Sequence, residues 1–138
     1  MTNDPLSPLR FLVGRWRGAG TVSGDPVTAE IEGASGEDDC IVLVHTTHRE
    51  GAADHGERIV IRVHRGRTSA FIRSGSGPEQ RFQSVPALVG WRFTRADPRL
   101  GFFAWEIEPD GPDAFRERFI LGEDAAAETV VALRHTRA

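Results

Sequence analysis

Leu9-Arg10-Phe11-Leu12-Val13-Gly14-Arg15-Trp16-Arg17-Gly18-Ala19-Gly20 is the stretch that decides how this chain folds. Its first half is apolar at helical spacing, and its second half runs through Gly-x-Trp into a glycine-spaced strand. Ahead of it, Ser7-Pro8 reads as an N-cap followed by proline at the first helical position. Leu9, Phe11, Leu12 and Val13 then supply the apolar face of one or two turns, which Gly14 ends. A helix this short is not stable alone. It must lie against something, and the nearest surface is the open end of the sheet that follows. Residues 1–6 are polar and read as a loose tail.

From Trp16 onward the dominant period is two, broken by turn residues every 8 to 12 positions, which marks an antiparallel sandwich or barrel. Roughly ten strands are predicted by that rule. They lie near 16–23, 26–33, 39–48, 57–64, 67–73, 79–84, 90–95, 100–108, 114–121 and 128–136. The turns between them are rich in Gly, Pro and Asp, as in Arg65-Gly66, Ala96-Asp97-Pro98 and Pro109-Asp110-Gly111-Pro112. The fold class is therefore all-β, an antiparallel up-and-down barrel with a short N-terminal capping helix, in one domain spanning 1–138.

Turn positions fix register, and register fixes which side chains share a face. If Arg65-Gly66 is a two-residue hairpin loop, Val63 faces Thr68, Ile61 faces Ala70 and Ile59 faces Ile72, all inward. Centring the preceding loop near Ala53 adds Ile41, Leu43 and His45 to that face. Phe71, Val60, Val42 and Val44 then point outward, an apolar patch suited to a homodimer. Centring the later turns at Pro98 and Gly111 gathers Trp91, Phe93, Phe103, Trp105, Ile107, Phe115 and Phe119 into a second, aromatic wall. Thr129, Val131, Leu133 and His135 of the last strand join it. Two inward positions are polar exceptions, His45 among aliphatics and Glu117 opposite Trp105. A buried carboxylate needs a donor, a proton or a ligand.

About ten strands leave space inside a barrel. Thr68 and Ala70, with Gly18 and Gly20 of the first strand, put small residues where a filled core needs large ones. The expected occupant is a small apolar or aromatic molecule, touching Ile61, Ala70, Trp91, Phe93, Phe103, Trp105, Phe115, Phe119, Val131 and His135.

Composition removes other classes. Net charge is −3, and the basic residues are scattered among acids, so no face is offered to nucleic acid or anionic lipid. All 17 basic side chains of the Lys and Arg class are Arg, which excludes Schiff-base lysines and a P-loop lysine. Tyr is absent, so no phenol serves as acid, base or haem ligand. The single Cys40 beside Ile41-Val42 reads as a small core residue. With neither an apolar run near 18 residues nor a signal-like N-terminus, the expectation is a cytoplasmic protein that does not span a membrane.

Gly14-x-Trp16-x-Gly18-x-Gly20 after Leu9-x-Phe11-Leu12-Val13 resembles the opening of nitrobindin-like and related lipocalin-like or fatty-acid-binding-like barrels, the calycins. The ending Val131-Ala132-Leu133-Arg134-His135-Thr136-Arg137 is similar to the Arg-ended final strand of those families. The resemblance implies that Arg134 or Arg137 packs over Trp16 and closes the barrel, with Arg134 as the first choice. It also implies haem as an alternative to having no cofactor, held by a histidine near the start of the last strand. The matching positions are Glu128 and Thr129, neither a ligand, and Thr21-Val22-Ser23-Gly24 replaces the family's Tyr-Pro-Thr-Ile. His135 would serve only a cofactor placed differently.

Other chemistry is thinly represented. His45-x-x-His48 fails as a metal pair, since strand residues three apart face opposite ways, and no other metal set is expected. Glu37-Asp38-Asp39 lacks the spacing of a calcium loop. The remaining catalytic reading is a cofactor-free isomerase or cyclase using His45 and Glu117, one as base and the other as acid, across the lumen. Its bland competitor is a satisfied core histidine beside a wall carboxylate bonded to Arg116 or Arg118.

Overall fold

Alternation along the chain is realised as ten antiparallel strands, each paired with its sequence neighbours, in the computed structural model, which describes residues 4–138. They are β1 (Gly14–Val22), β2 (Asp25–Ser35), β3 (Ile41–His48), β4 (His55–His64), β5 (Arg67–Ser74), β6 (Gln80–Val85), β7 (Trp91–Arg95), β8 (Phe103–Pro109), β9 (Ala114–Leu121) and β10 (Glu128–Arg137). The first and last strands pair, from Trp16 opposite Arg137 to Val22 opposite Val131, and so close the barrel without an exposed edge.

The register follows the turns. Arg65 and Gly66 both take positive φ, at 51° and 77°, as a tight hairpin turn requires. Val63 therefore faces Thr68, Ile61 faces Ala70 and Ile59 faces Ile72. Three other hairpins are shifted from expectation by an even number of residues. Ile41 pairs with Ile61, Phe93 with Trp105, and Trp105 with Phe119, which leaves Glu117 opposite Ile107. An even shift keeps every side chain on its face, so both walls still point inward. Local departures are few. A bulge between Thr129 and Val131 turns Thr129 to solvent and lets Val130 pack on the core, while Val63, near the strand end, is exposed. On the outer face, the Arg62 guanidinium lies 4.3 Å above the Phe71 ring and His64 packs against its edge, so the chain's own side chains cover part of that patch.

The glycines of β1 do not enlarge the lumen. A Cβ at Gly18 would run into the His135 ring, and one at Gly20 into the Ala132 carbonyl. Their role is to let β10 and one of its side chains come close.

One end is closed by the N-terminal segment, which forms a 3-10 turn, Ser7–Leu12, instead of the expected capped helix. Leu6 holds the N-cap position, with no side-chain cap. Residues 4–6 are tied down, unlike the loose tail expected of them; Asp4 accepts from the Leu6 N–H at 3.0 Å and from Arg10 Nε at 3.1 Å. The first three residues lie outside the described part. Leu6, Leu9 and Leu12 are buried among Trp16, Ile31, Ile41 and Leu43.

Arg137 locks this plug. Its guanidinium carbon sits 3.9 Å above the Trp16 ring, and its two terminal nitrogens donate to the carbonyls of Phe11 and Val13, each at 2.9 Å. Trp16 Nε1 donates to the Leu12 carbonyl at 3.1 Å. Arg134 does not take this place. It is three residues away in a strand, hence on the opposite face, where it pairs with Asp110 at 3.1 Å. Arg137→Ala is expected to lower stability by about 1–3 kcal/mol through the lost stacking and hydrogen bonds. Arg134→Ala should change it by less than about 0.5 kcal/mol, as for an exposed pair. Urea unfolding followed by tryptophan fluorescence distinguishes the two.

Candidate functional site

Three strands each deliver one polar residue to the middle of the barrel. In β3 the inward series is Ile41, Leu43, His45 and Thr47; in β9 it is Phe115, Glu117 and Phe119; in β10 Leu133 and His135 point in. His45, Glu117 and His135 are almost completely buried. Glu117 Oε1 accepts hydrogen bonds from His45 Nε2 at 2.7 Å and from His135 Nε2 at 2.8 Å. Its other oxygen, Oε2, accepts from Trp105 Nε1 at 2.9 Å. An ionised carboxylate only accepts, so both histidines carry a proton on Nε2. In each ring this leaves Nδ1, and neither Nδ1 has a partner.

Charge follows from the arrangement. Burial by itself would raise the Glu117 pKa, but the His45 charge and the hydrogen bonds from both histidines outweigh it and hold the carboxyl far below its usual range. Burial likewise works against a charged His45. The charge and hydrogen bond of Glu117, with Glu57 contributing, overcome that and set His45 above the ordinary histidine value. Gly18 makes the cluster possible by leaving room for the His135 ring, which stacks on Phe115 at 4.7 Å between centroids.

The carboxylate is thus not bonded to Arg116 or Arg118. Both lie on the outer face of β9, where Arg116 pairs with Asp110 and Arg118 with Glu106.

The end opposite the plug is open. A cavity of about 590 Å³ lies there, walled by Val22, Val27, Phe103, Phe119 and Val131 and reaching His45. Its rim is polar, with Thr47, Arg49, Asp54, His55, Glu57 and Ser74. A smaller space of about 210 Å³ continues from it past Ile72, Phe82 and Arg95. Below these the interior is solid. Of the side chains expected to touch a ligand, Phe103, Phe119 and Val131 line the cavity. Ile61, Ala70, Phe93, Trp105 and Phe115 are fully buried in packing, Trp91 is half-buried against them, and His135 is sealed behind Glu117. A separate cleft of about 720 Å³ lies on the outer wall beneath Pro86–Val89, and the arginines there are engaged with Glu106 and Asp110.

Two cofactor classes can be tested against these residues. His45, Glu117 and His135 offer ligand atoms within 4.8 Å of one another, a composition that suits a transition metal. Their spacing is that of hydrogen bonds. Ligands around a tetrahedral zinc ion stand about 3.3 Å apart, given bonds near 2.05 Å, whereas both histidine nitrogens approach Oε1 to 2.8 Å or less. Metal on Nε2 would also move each proton to Nδ1, where no acceptor waits. Haem fits no better at the position suggested by resemblance, since Glu128 and Thr129 are exposed and neither offers a ligand. Of the histidines reaching the cavity, His45 has Nε2 committed to Glu117, and His55 lies exposed on the rim. His48 points away from His45 and pairs with Asp54 at 2.8 Å.

No protein-family model matches the chain, and no curated protein matches it either.

Parity brought His45, Glu117 and His135 inward but left their meeting unseen. The signal for Glu117 and His135 was the hairpin between β9 and β10, in which Glu117 faces Leu133 and sits diagonal to His135. The reach of His45 depends on the diameter of the closed barrel, which sequence does not show.

Two measurements check the electrostatics. In an NMR titration His45 should titrate above pH 6.5, and in Glu117→Gln below it, because burial then outweighs the remaining pull of Glu57. The raised His45 pKa contributes stability that is complete below pH 6.5 and fades as pH climbs through the folded value. The depressed Glu117 pKa contributes stability that is present above the carboxylate range and is lost in acid. Second, Gly18→Ala should displace the His135 ring and lower stability by about 1–3 kcal/mol in urea unfolding.

Proposed function

We propose that this protein is a calycin-like barrel that binds a small apolar or aromatic molecule in its open end, with one hydrogen-bonding group of that molecule seated on His45. A single observation supports this most: an apolar-walled cavity ends on a histidine that has an unpartnered, buried ring nitrogen. Buried polar atoms are usually satisfied, and the cavity against this ring is the space from which a bound molecule would approach it. A volume of about 590 Å³ falls in the range of small-molecule sites. The walls contribute apolar contact through Val22, Val27, Phe103, Phe119 and Val131, while the charged rim of Arg49, Asp54 and Glu57 keeps the entrance wetted.

The occupant has an apolar body and one polar head. Long chains are disfavoured, because solid packing of Phe93, Trp105 and Phe115 stops the cavity halfway down the barrel. A fluorescent naphthalene or short fatty-acid probe should bind saturably with one site per chain. Val131→Trp, which fills the mouth, should weaken that binding at least tenfold while circular dichroism stays unchanged. Absence of saturable binding by the unmodified protein across such a panel would refute the proposal.

A further inference from the structure

We propose that His45 is a general base toward the bound molecule and that the protein catalyses a cofactor-free proton relocation on a weakly acidic apolar substrate. This rests on the binding site proposed above and goes beyond it, from holding a molecule to changing it. Glu117 Oε1 holds a proton on His45 Nε2 at 2.7 Å, so in the neutral ring the lone pair resides on Nδ1, which nothing in the protein occupies. An imidazole oriented by a buried carboxylate is the arrangement that makes histidine an effective base, because the imidazolium that forms is stabilised by the adjacent negative charge.

Around this pair the other polar groups position the carboxylate. His135 Nε2 at 2.8 Å and Trp105 Nε1 at 2.9 Å fix both oxygens of Glu117, so it cannot swing away when His45 becomes charged. His135 and Trp105 are therefore positioning residues. Of the cluster, only His45 both bonds the carboxylate and forms part of the cavity wall. The charged and titratable groups that face it are Glu57 on β4, Glu117 on β9 and His135 on β10, with Arg49, Asp54 and His55 at the rim.

The step balances within one molecule. A proton leaves a carbon of the substrate for His45 Nδ1, and the electron pair of the broken C–H bond passes into an adjoining carbonyl or a breaking ring bond. The imidazolium beside Glu117 then returns the proton to another atom of the same substrate. Nothing is oxidised or reduced and no co-reactant is consumed, so the class is isomerisation or ring opening and closure.

A suitable probe is 5-nitrobenzisoxazole, a flat apolar molecule whose C–H proton is removed by a base as its N–O bond opens to a coloured cyanophenolate. Its inert look-alike 6-nitrobenzotriazole reports binding alone. The unmodified protein should turn over the first and bind the second, with a pH–rate midpoint that coincides with the His45 titration seen by NMR. His45→Gln should lower kcat roughly a hundredfold, within the usual range for removal of a general base, while circular dichroism shows the barrel still folded. Trp105→Phe, which spares His45, should shift the pH–rate midpoint. Binding of the look-alike with no turnover of the probe overturns the base and leaves the binding site standing. Failure of the look-alike to bind overturns both readings. Turnover that persists in folded His45→Gln, or that chelator abolishes and Zn²⁺ restores, also overturns the base, the latter in favour of a metal at the same three side chains.

Discussion

A carboxylate in the middle of a barrel is the constraint around which the interior is arranged. Removing Glu117 from water is costly unless its lone pairs are met, and they are met by His45, His135 and Trp105, drawn from β3, β10 and β8. One charged group thereby joins opposite walls. Apolar packing alone allows neighbouring rotamers to interchange, whereas three directional bonds to one carboxylate fix where each wall stands relative to the others. The bonds also divide the barrel, with solid packing toward the plug and empty space toward the mouth.

That division has local causes on each side. Toward the plug, Trp16 and Arg137 satisfy the carbonyls of Phe11, Leu12 and Val13 and bury the leucines of the 3-10 turn. A segment too short to be helical by itself becomes a stopper because its unpaired carbonyls find donors on the first and last strands. Toward the mouth the aromatic wall thins out to Phe103 and Phe119, and the adjoining strands β10, β1 and β2 offer only Val131, Val22 and Val27 there. Smaller side chains there, not the glycines of β1, create the cavity. Gly18 and Gly20 are consumed by the close approach of His135 and of the β10 backbone.

Much of this was legible in the chain. Turn residues every 8 to 12 positions gave ten strands whose ends differ from the observed ones by at most three residues, and two-residue periodicity gave both walls. Parity is robust because even-numbered slips do not change it, which is why Trp105 came out inward although its partner is Phe119 and not Glu117. What stayed hidden depends on distance across the lumen or on competition for one place. Arg134 and Arg137 have the same chemistry and compete for Trp16; the parity that turns Leu133 and His135 inward gives the place to Arg137, and the ladder sets it opposite Trp16. Thr129 was lost to a bulge, an irregularity that no alternation of side chains announces. The contact of His45 with Glu117, 72 residues later in the chain, needs a closed barrel of the right width.

The cluster is poorly explained as a device for stability. Replacing a buried ionic group by well-packed apolar side chains is often neutral or favourable, and Leu43, Phe115, Phe119 and Leu133 already flank these three residues on the inward face. A cluster kept only to bind strands together would also satisfy its outer atoms, yet both histidines leave Nδ1 bare. For His135 that bare atom lies against Gly18, in a space with no polar neighbour to offer. For His45 it belongs to a ring that forms part of a cavity wall. Two histidines on one carboxylate therefore differ in where they sit, and only His45 forms part of the cavity wall.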